Sequence, residues 1–158
     1  MTTTFVRFMN IFIAALVVGV MFGIWLGYNP AGLTASAYVE QQQMAIRGLN
    51  VIMPILGAIG IVLTLLQAWL VRLDRASFWL LLTGAALLIA AGLITRFGNQ
   101  PINARVITWS AATPPSEWAQ ARDLWWHWHV LRTVAGLVAL GFIIAASLRP
   151  VAIDRDVR

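Results

Sequence analysis

NVIMPILGAIGIVLTLLQAWLV, from Asn50 to Val71, is followed after the short stretch RLDRA by SFWLLLTGAALLIAAGLIT, from Ser77 to Thr95. Each run is about as long as the ~20 mostly apolar residues a helix needs to cross a hydrocarbon core of about 30 Å. The connection between them is so tight that the two must stand side by side, antiparallel. Both runs are continuous instead of alternating, and backbone groups in lipid must be hydrogen-bonded within the segment, so they read as helices and not as barrel strands. Working outward, Phe8 to Gly27 and Trp128 to Ser147 repeat the pattern. The expectation is an all-α protein: an integral membrane four-helix bundle forming a single domain over 1–158.

Composition agrees. Of the 158 residues 60% are hydrophobic and only 11% charged, with a mean hydropathy of +0.80, where a soluble domain carries roughly a quarter charged residues. The formal net charge is +5, yet the basic residues are all Arg, placed singly, with no block to follow a phosphate backbone, so no nucleic-acid partner is expected. Without Cys there are no disulfides, thiolate metal sites or thiol nucleophiles. No internal repeat and no Gly/Ser linker marks a second domain.

Two long stretches, Tyr28 to Leu49 and Arg96 to His127, must lie on the same side of the bundle and would form a loop cap. The short stretches carry Arg7, Arg72, Arg75, Arg149, Arg155 and Arg158. The positive-inside rule therefore puts both termini in the cytoplasm and the cap outside it; a bacterial inner membrane fits this arrangement. The first run is expected to be a retained span and not a signal peptide, although Ala35, Ser36 and Ala37 make a small-x-small pattern. Gly19, Gly23 and Gly27 form a smooth ridge along it, expected to pack inside the bundle, with self-association as the alternative.

Polar residues converge on the cap end. On a helix that runs from Thr34 into the second span, Glu40, Gln43, Arg47 and Asn50 share one sector that Pro54 continues. Proline lacks an N–H and crowds the carbonyl of Asn50. In SEWAQARDLWWHWHVLRT, from Ser116 to Thr133, helical spacing puts Trp118, Trp125, His129, Arg132 and Gly136 on one face and His127 almost opposite. Ionisable groups just inside an apolar span are costly and turn toward a bundle interior or cavity, so His129 and Arg132 are read as a pocket with Glu40 as counter-ion. The alternatives are an aromatic belt for the Trp residues and a snorkelling Arg132. After the third span TRFGNQPIN, from Thr95 to Asn103, reads as an amide-rich turn that brings Asn99 and Asn103 toward a ligand or satisfies its own backbone. No metal motif is present, and no metal site is expected. A single axial His for haem is arithmetically compatible with His129 or His127.

EQQQ at 40–43, TRFGNQPINARV at 95–106 and PPSEWAQARDLWWHWHVLRT at 114–133, set between four spans, resemble the anthrone-oxygenase-like family of small membrane proteins. The most specific pieces are Pro101, Ile102 and Asn103, and Trp125, His129, Arg132 and Thr133. The resemblance implies oxygen-dependent oxidation of a small apolar aromatic, anthrone- or quinol-like, substrate reached from membrane lipid. Such chemistry asks for a base, a cation for the oxyanion and water-excluding walls. His129 is the expected base and Arg132 the cation, with Asn50, Asn99, Asn103 and Gln43 orienting substrate oxygens. Trp118 and Trp125 offer flat apolar surfaces, and no cofactor is required. Two alternatives from other classes remain: a non-catalytic or lipid-binding scaffold subunit, in a homo-oligomer or a larger membrane complex, and a haem or metal-binding redox protein.

Overall fold

The computed structural model describes residues 2–149; Arg155 and Arg158, used above for orientation, lie outside them. The elements are α1 (Thr2–Gly27), a 3-10 turn (Pro30–Gly32), α2 (Ala35–Leu49), α3 (Ile52–Leu70), α4 (Arg75–Ile94), a π-helical turn (Thr95–Asn99), α5 (Gln100–Val106) and α6 (Trp118–Leu148). No strand occurs among the described residues. Four helices are long and apolar enough to cross a membrane. The chain is an integral membrane protein.

Each break in the helices has a local cause. Asn29 and Thr34 accept hydrogen bonds from the Ala31 and Ala37 N–H groups, and Asp74 accepts from the N–H groups of Ala76 and Ser77, which satisfies donors that a helix start leaves open. The Ser77 hydroxyl also donates to Asp74. That bond, ahead of the backbone bond and Arg149 at 3.5 Å, holds the Asp74 carboxyl below the usual carboxylate range despite a partial loss of hydration.

α1, α3, α4 and α6 stand in a square, each touching two neighbours, with α4 and α6 in the most intimate contact. A Cβ on Gly84 of α4 would lie 3.3 Å from the Ala139 carbonyl of α6, and one on Gly136 would meet the Met21 Cε of α1 at 2.6 Å. These two glycines set the approach of α6 to its neighbours. Gly19, Gly23 and Gly27 do not: all three are exposed and a Cβ there would touch nothing within 4 Å. The expected packing ridge therefore faces outward. Toward the terminal end, buried Asn10, Thr64 and Gln67 and half-buried Ser147 form a chain of hydrogen bonds across α1, α3 and α6. Every link is 3.0 Å or shorter, as the cost of unpaired polar groups in lipid requires.

The cap is more helical than the two polar stretches suggest. α2 occupies most of the first, and the second is used by α5 and by α6, which starts at Trp118, ten residues before the expected span. Only Ile107–Glu117 connects them. The helix expected to run unbroken from Thr34 into the second span is interrupted at Asn50 and Val51, one turn before Pro54, whose missing N–H leaves the Asn50 carbonyl without its helical donor. The amide-rich stretch after the third span is not a turn. It continues the helix through the π-helical Thr95–Asn99 into α5, with Pro101 in the first turn of α5. A widened turn relieves the ring's clash with the carbonyl four residues back.

Candidate functional site

Where the cap meets the bundle, a cavity of about 920 Å³ opens between α1, α2, α3, α4, α5 and α6. Asn103 is the hub of its polar end. The Asn103 Oδ1 accepts from Trp125 Nε1 at 2.9 Å and from Gln42 Nε2 at 3.2 Å, while Asn103 Nδ2 donates to Asn50 Oδ1 at 3.1 Å. The Tyr28 hydroxyl extends the chain by donating to Gln42 Oε1 at 3.3 Å. All five side chains line the cavity. The break at Asn50 and the short α5 exist in the right places to bring two asparagines from distant parts of the chain into contact.

The second feature is a pair on α6. The Arg132 guanidinium donates to His129 Nδ1 from Nη2 at 2.9 Å and from Nε at 3.3 Å, and from Nη1 to the Thr95 hydroxyl at 3.2 Å. The Thr95 hydroxyl in turn donates to the Ala91 carbonyl at 2.8 Å. On the other edge of the ring, His129 Nε2 lies 3.1 Å from the Met21 carbonyl. These partners fix the neutral tautomer with the proton on Nε2, because Nδ1 must accept. Trp125 stacks parallel on the His129 ring, centroids 5.0 Å apart, and Trp126 packs at 5.6 Å. His129 is fully buried. Arg132 lines the cavity, and among the described residues three of its five N–H donors are used.

The residues singled out in the sequence are not all brought together. Trp125, Arg132, Asn50 and Asn103 line the cavity. His129 stands behind Arg132. Glu40 is exposed and is not the counter-ion of Arg132, whose partners are His129 and Thr95. Gln43 does not face the cavity: its amide ties the end of α5 by donating to the Val106 and Trp109 carbonyls at 3.0 and 2.8 Å. Asn99 is buried and donates to the Trp125 carbonyl at 2.9 Å, bracing the π turn against α6. Trp118 packs on Tyr38 in the core of the cap. Arg132 turns inward and does not snorkel. Gln42, Tyr28 and Thr95 were missed; Gln42 sits one position from the expected stripe, a rotation of about 100° on a helix.

Among the described residues no group of three or more His, Asp or Glu comes together. His129 has both ring nitrogens engaged, and His127 is exposed on the opposite side of α6.

The sequence profile of the family described as Anthrone oxygenase matches residues 42–142, well over half of the chain. The chain belongs to the anthrone oxygenase family. The matched region contains Gln42, Asn50, Asn103, Trp125, His129 and Arg132, so the hub and the Arg–His pair both lie inside it. No curated protein and no solved structure matches the chain.

Proposed function

We propose that this member of the anthrone oxygenase family oxidises a small apolar aromatic, an anthrone or a quinol, with dioxygen inside the cavity. The observation that carries the reading is Arg132, a cation that, among the described residues, has two donors to spare on a cavity wall lined by no carboxylate. Such a wall favours a ligand oxygen that gains negative charge during reaction.

The benzylic C–H of an anthrone is acidic because its carbanion delocalises onto the ketone oxygen. Arg132 stabilises that oxyanion, and as the guanidinium turns toward it His129 Nδ1 is released to take the proton as general base. The enolate then passes an electron to dioxygen, the two radicals join at carbon, and the peroxide loses water. Overall CH2 and O2 give C=O and H2O: carbon loses four electrons, dioxygen gains four, and one oxygen atom ends in each product. The electrons come from the substrate, so the mechanism uses no resident cofactor. Trp125 supplies a flat wall, and Asn103 and Asn50 orient the substrate oxygens. The membrane is read as a bacterial inner membrane with the cavity toward the extracytoplasmic side.

An oxygen electrode tests this with purified protein and an anthrone. Losing a general base typically costs about 10²–10⁴ in rate; His129→Ala and Arg132→Met should each fall by that order, whereas His127→Ala should stay near wild type. Equal rates in wild type and Arg132→Met would remove the oxyanion site. No uptake by the wild type would favour a non-catalytic membrane subunit.

A further inference from the structure

Polarity within the cavity is one-sided. The amides, Tyr28 and Arg132 gather at the cap end, while Met53, Pro54, Gly57, Ala58 and Ile61 form a wholly apolar face of α3 roughly 12 Å long at 1.5 Å per residue. Leu88, Ala91 and Gly92 line the facing part of α4. A bare ring system held at Arg132 would leave this apolar arm empty, and about 920 Å³ is near the top of the ~300–1,000 Å³ range of small-molecule sites. The arm is also open sideways. Pro54, Ala58 and Gly92 lie within the spans, line the cavity and are nonetheless exposed. A Cβ on Gly57 or Gly92 would meet nothing within 4 Å, so these two glycines leave open space along the arm and do not serve helix packing.

We infer that the ligand is an amphiphile: an oxygenated aromatic ring held at Arg132 and Asn103, with a hydrocarbon tail that runs down the apolar arm and leaves between α3 and α4 into the bilayer. This rests on the proposed aromatic site and specifies its substrate class. A tail gains little free energy on moving from lipid to an apolar groove, because both surroundings are equally apolar. Its effect is to hold the ring at the depth of Arg132. The informative measurement is therefore where the tail lies.

The probe is a hydroquinone with an alkyl chain carrying a diazirine, photolysed on the protein in phospholipid nanodiscs and mapped by mass spectrometry. Label should fall on Gly57, Ala58, Ile61 and Leu88, should be displaced by excess untailed anthrone, and should leave this face in the Gly57→Leu/Gly92→Leu double variant, whose added side chains enter open space. Label confined to the outward residues Ile55, Ile59, Val62 and Ile89, or label that untailed anthrone does not displace, overturns the inference; the latter means that the arm holds any acyl chain. Oxygen uptake by the wild type with untailed anthrone is read separately. Uptake with the tail label outside rejects the tail and leaves the aromatic site standing, and no uptake rejects the site itself.

Discussion

Asn103 satisfies three neighbours with one side chain, which makes it the residue whose loss should be felt most at the polar end of the cavity. Asn103→Leu leaves Gln42, Trp125 and Asn50 without their partner. A buried polar group left unpaired costs about 1–3 kcal/mol, so thermal unfolding in detergent should show a loss of at least that order. Tyr38→Phe is the contrasting case. The Tyr38 hydroxyl is buried without a hydrogen-bond partner among the described residues, and burial, with Tyr28 adding to it, pushes its phenol above the ordinary range. Removing that oxygen should leave stability unchanged or raise it. Trp125, His129 and Arg132 were legible because one helix face carries all three. Gln42 and Gln43 were interchanged because adjacent glutamines differ only in helix phase, which the break at Asn50 and the packing against α5 decide. Glu40 was misplaced for the same reason.

Helix starts and widened turns carry the next level of organisation. Asp74 begins α4, and a capping residue replaced by Ala costs about 0.5–2 kcal/mol. Its pKa is depressed in the folded state, so its contribution is present above the unfolded carboxylate pKa and is lost as pH falls through the folded value. Melting temperature should therefore drop on acidification below the usual carboxylate range, and that part of the drop should vanish in Asp74→Ala. The π turn is fixed at Gly98, where a Cβ would lie 2.7 Å from Trp128 Cγ. Gly98→Ala should destabilise by about 1–3 kcal/mol through overpacking, and adding Trp128→Ala should recover most of the part due to the clash. Pro54 and Pro101 are both visible in the sequence, but the distortion each imposes on its helix is not. Their outcomes differ, a break at Asn50–Val51 and a π turn at Thr95–Asn99, because tertiary partners take up the freed groups differently.

At the scale of the molecule, four runs of apolar residues sufficed for the spans, since length and continuity against a bilayer leave few alternatives. The cap was harder to read: the pattern from Thr34 onward announced a helix, but only the packing against α5 and α6 shows that α2 turns Tyr38, Val39, Gln42 and Ile46 inward. Orientation rests on the Arg distribution and is open to a direct check. Cysteine placed at Thr113, exposed in the cap, should react with an impermeant thiol reagent in intact cells, while one at Leu73, 93% exposed in the α3–α4 turn, should not. The reverse pattern would invert the topology and leave the bundle intact. The central claim is that the cavity around Arg132 transfers oxygen from dioxygen to a ring carbon. Purified protein given an anthrone under isotopically heavy dioxygen should yield anthraquinone with one heavy oxygen, while Arg132→Met should yield almost none above the protein-free rate. Unlabelled quinone, or equal labelling in the variant, would contradict the account.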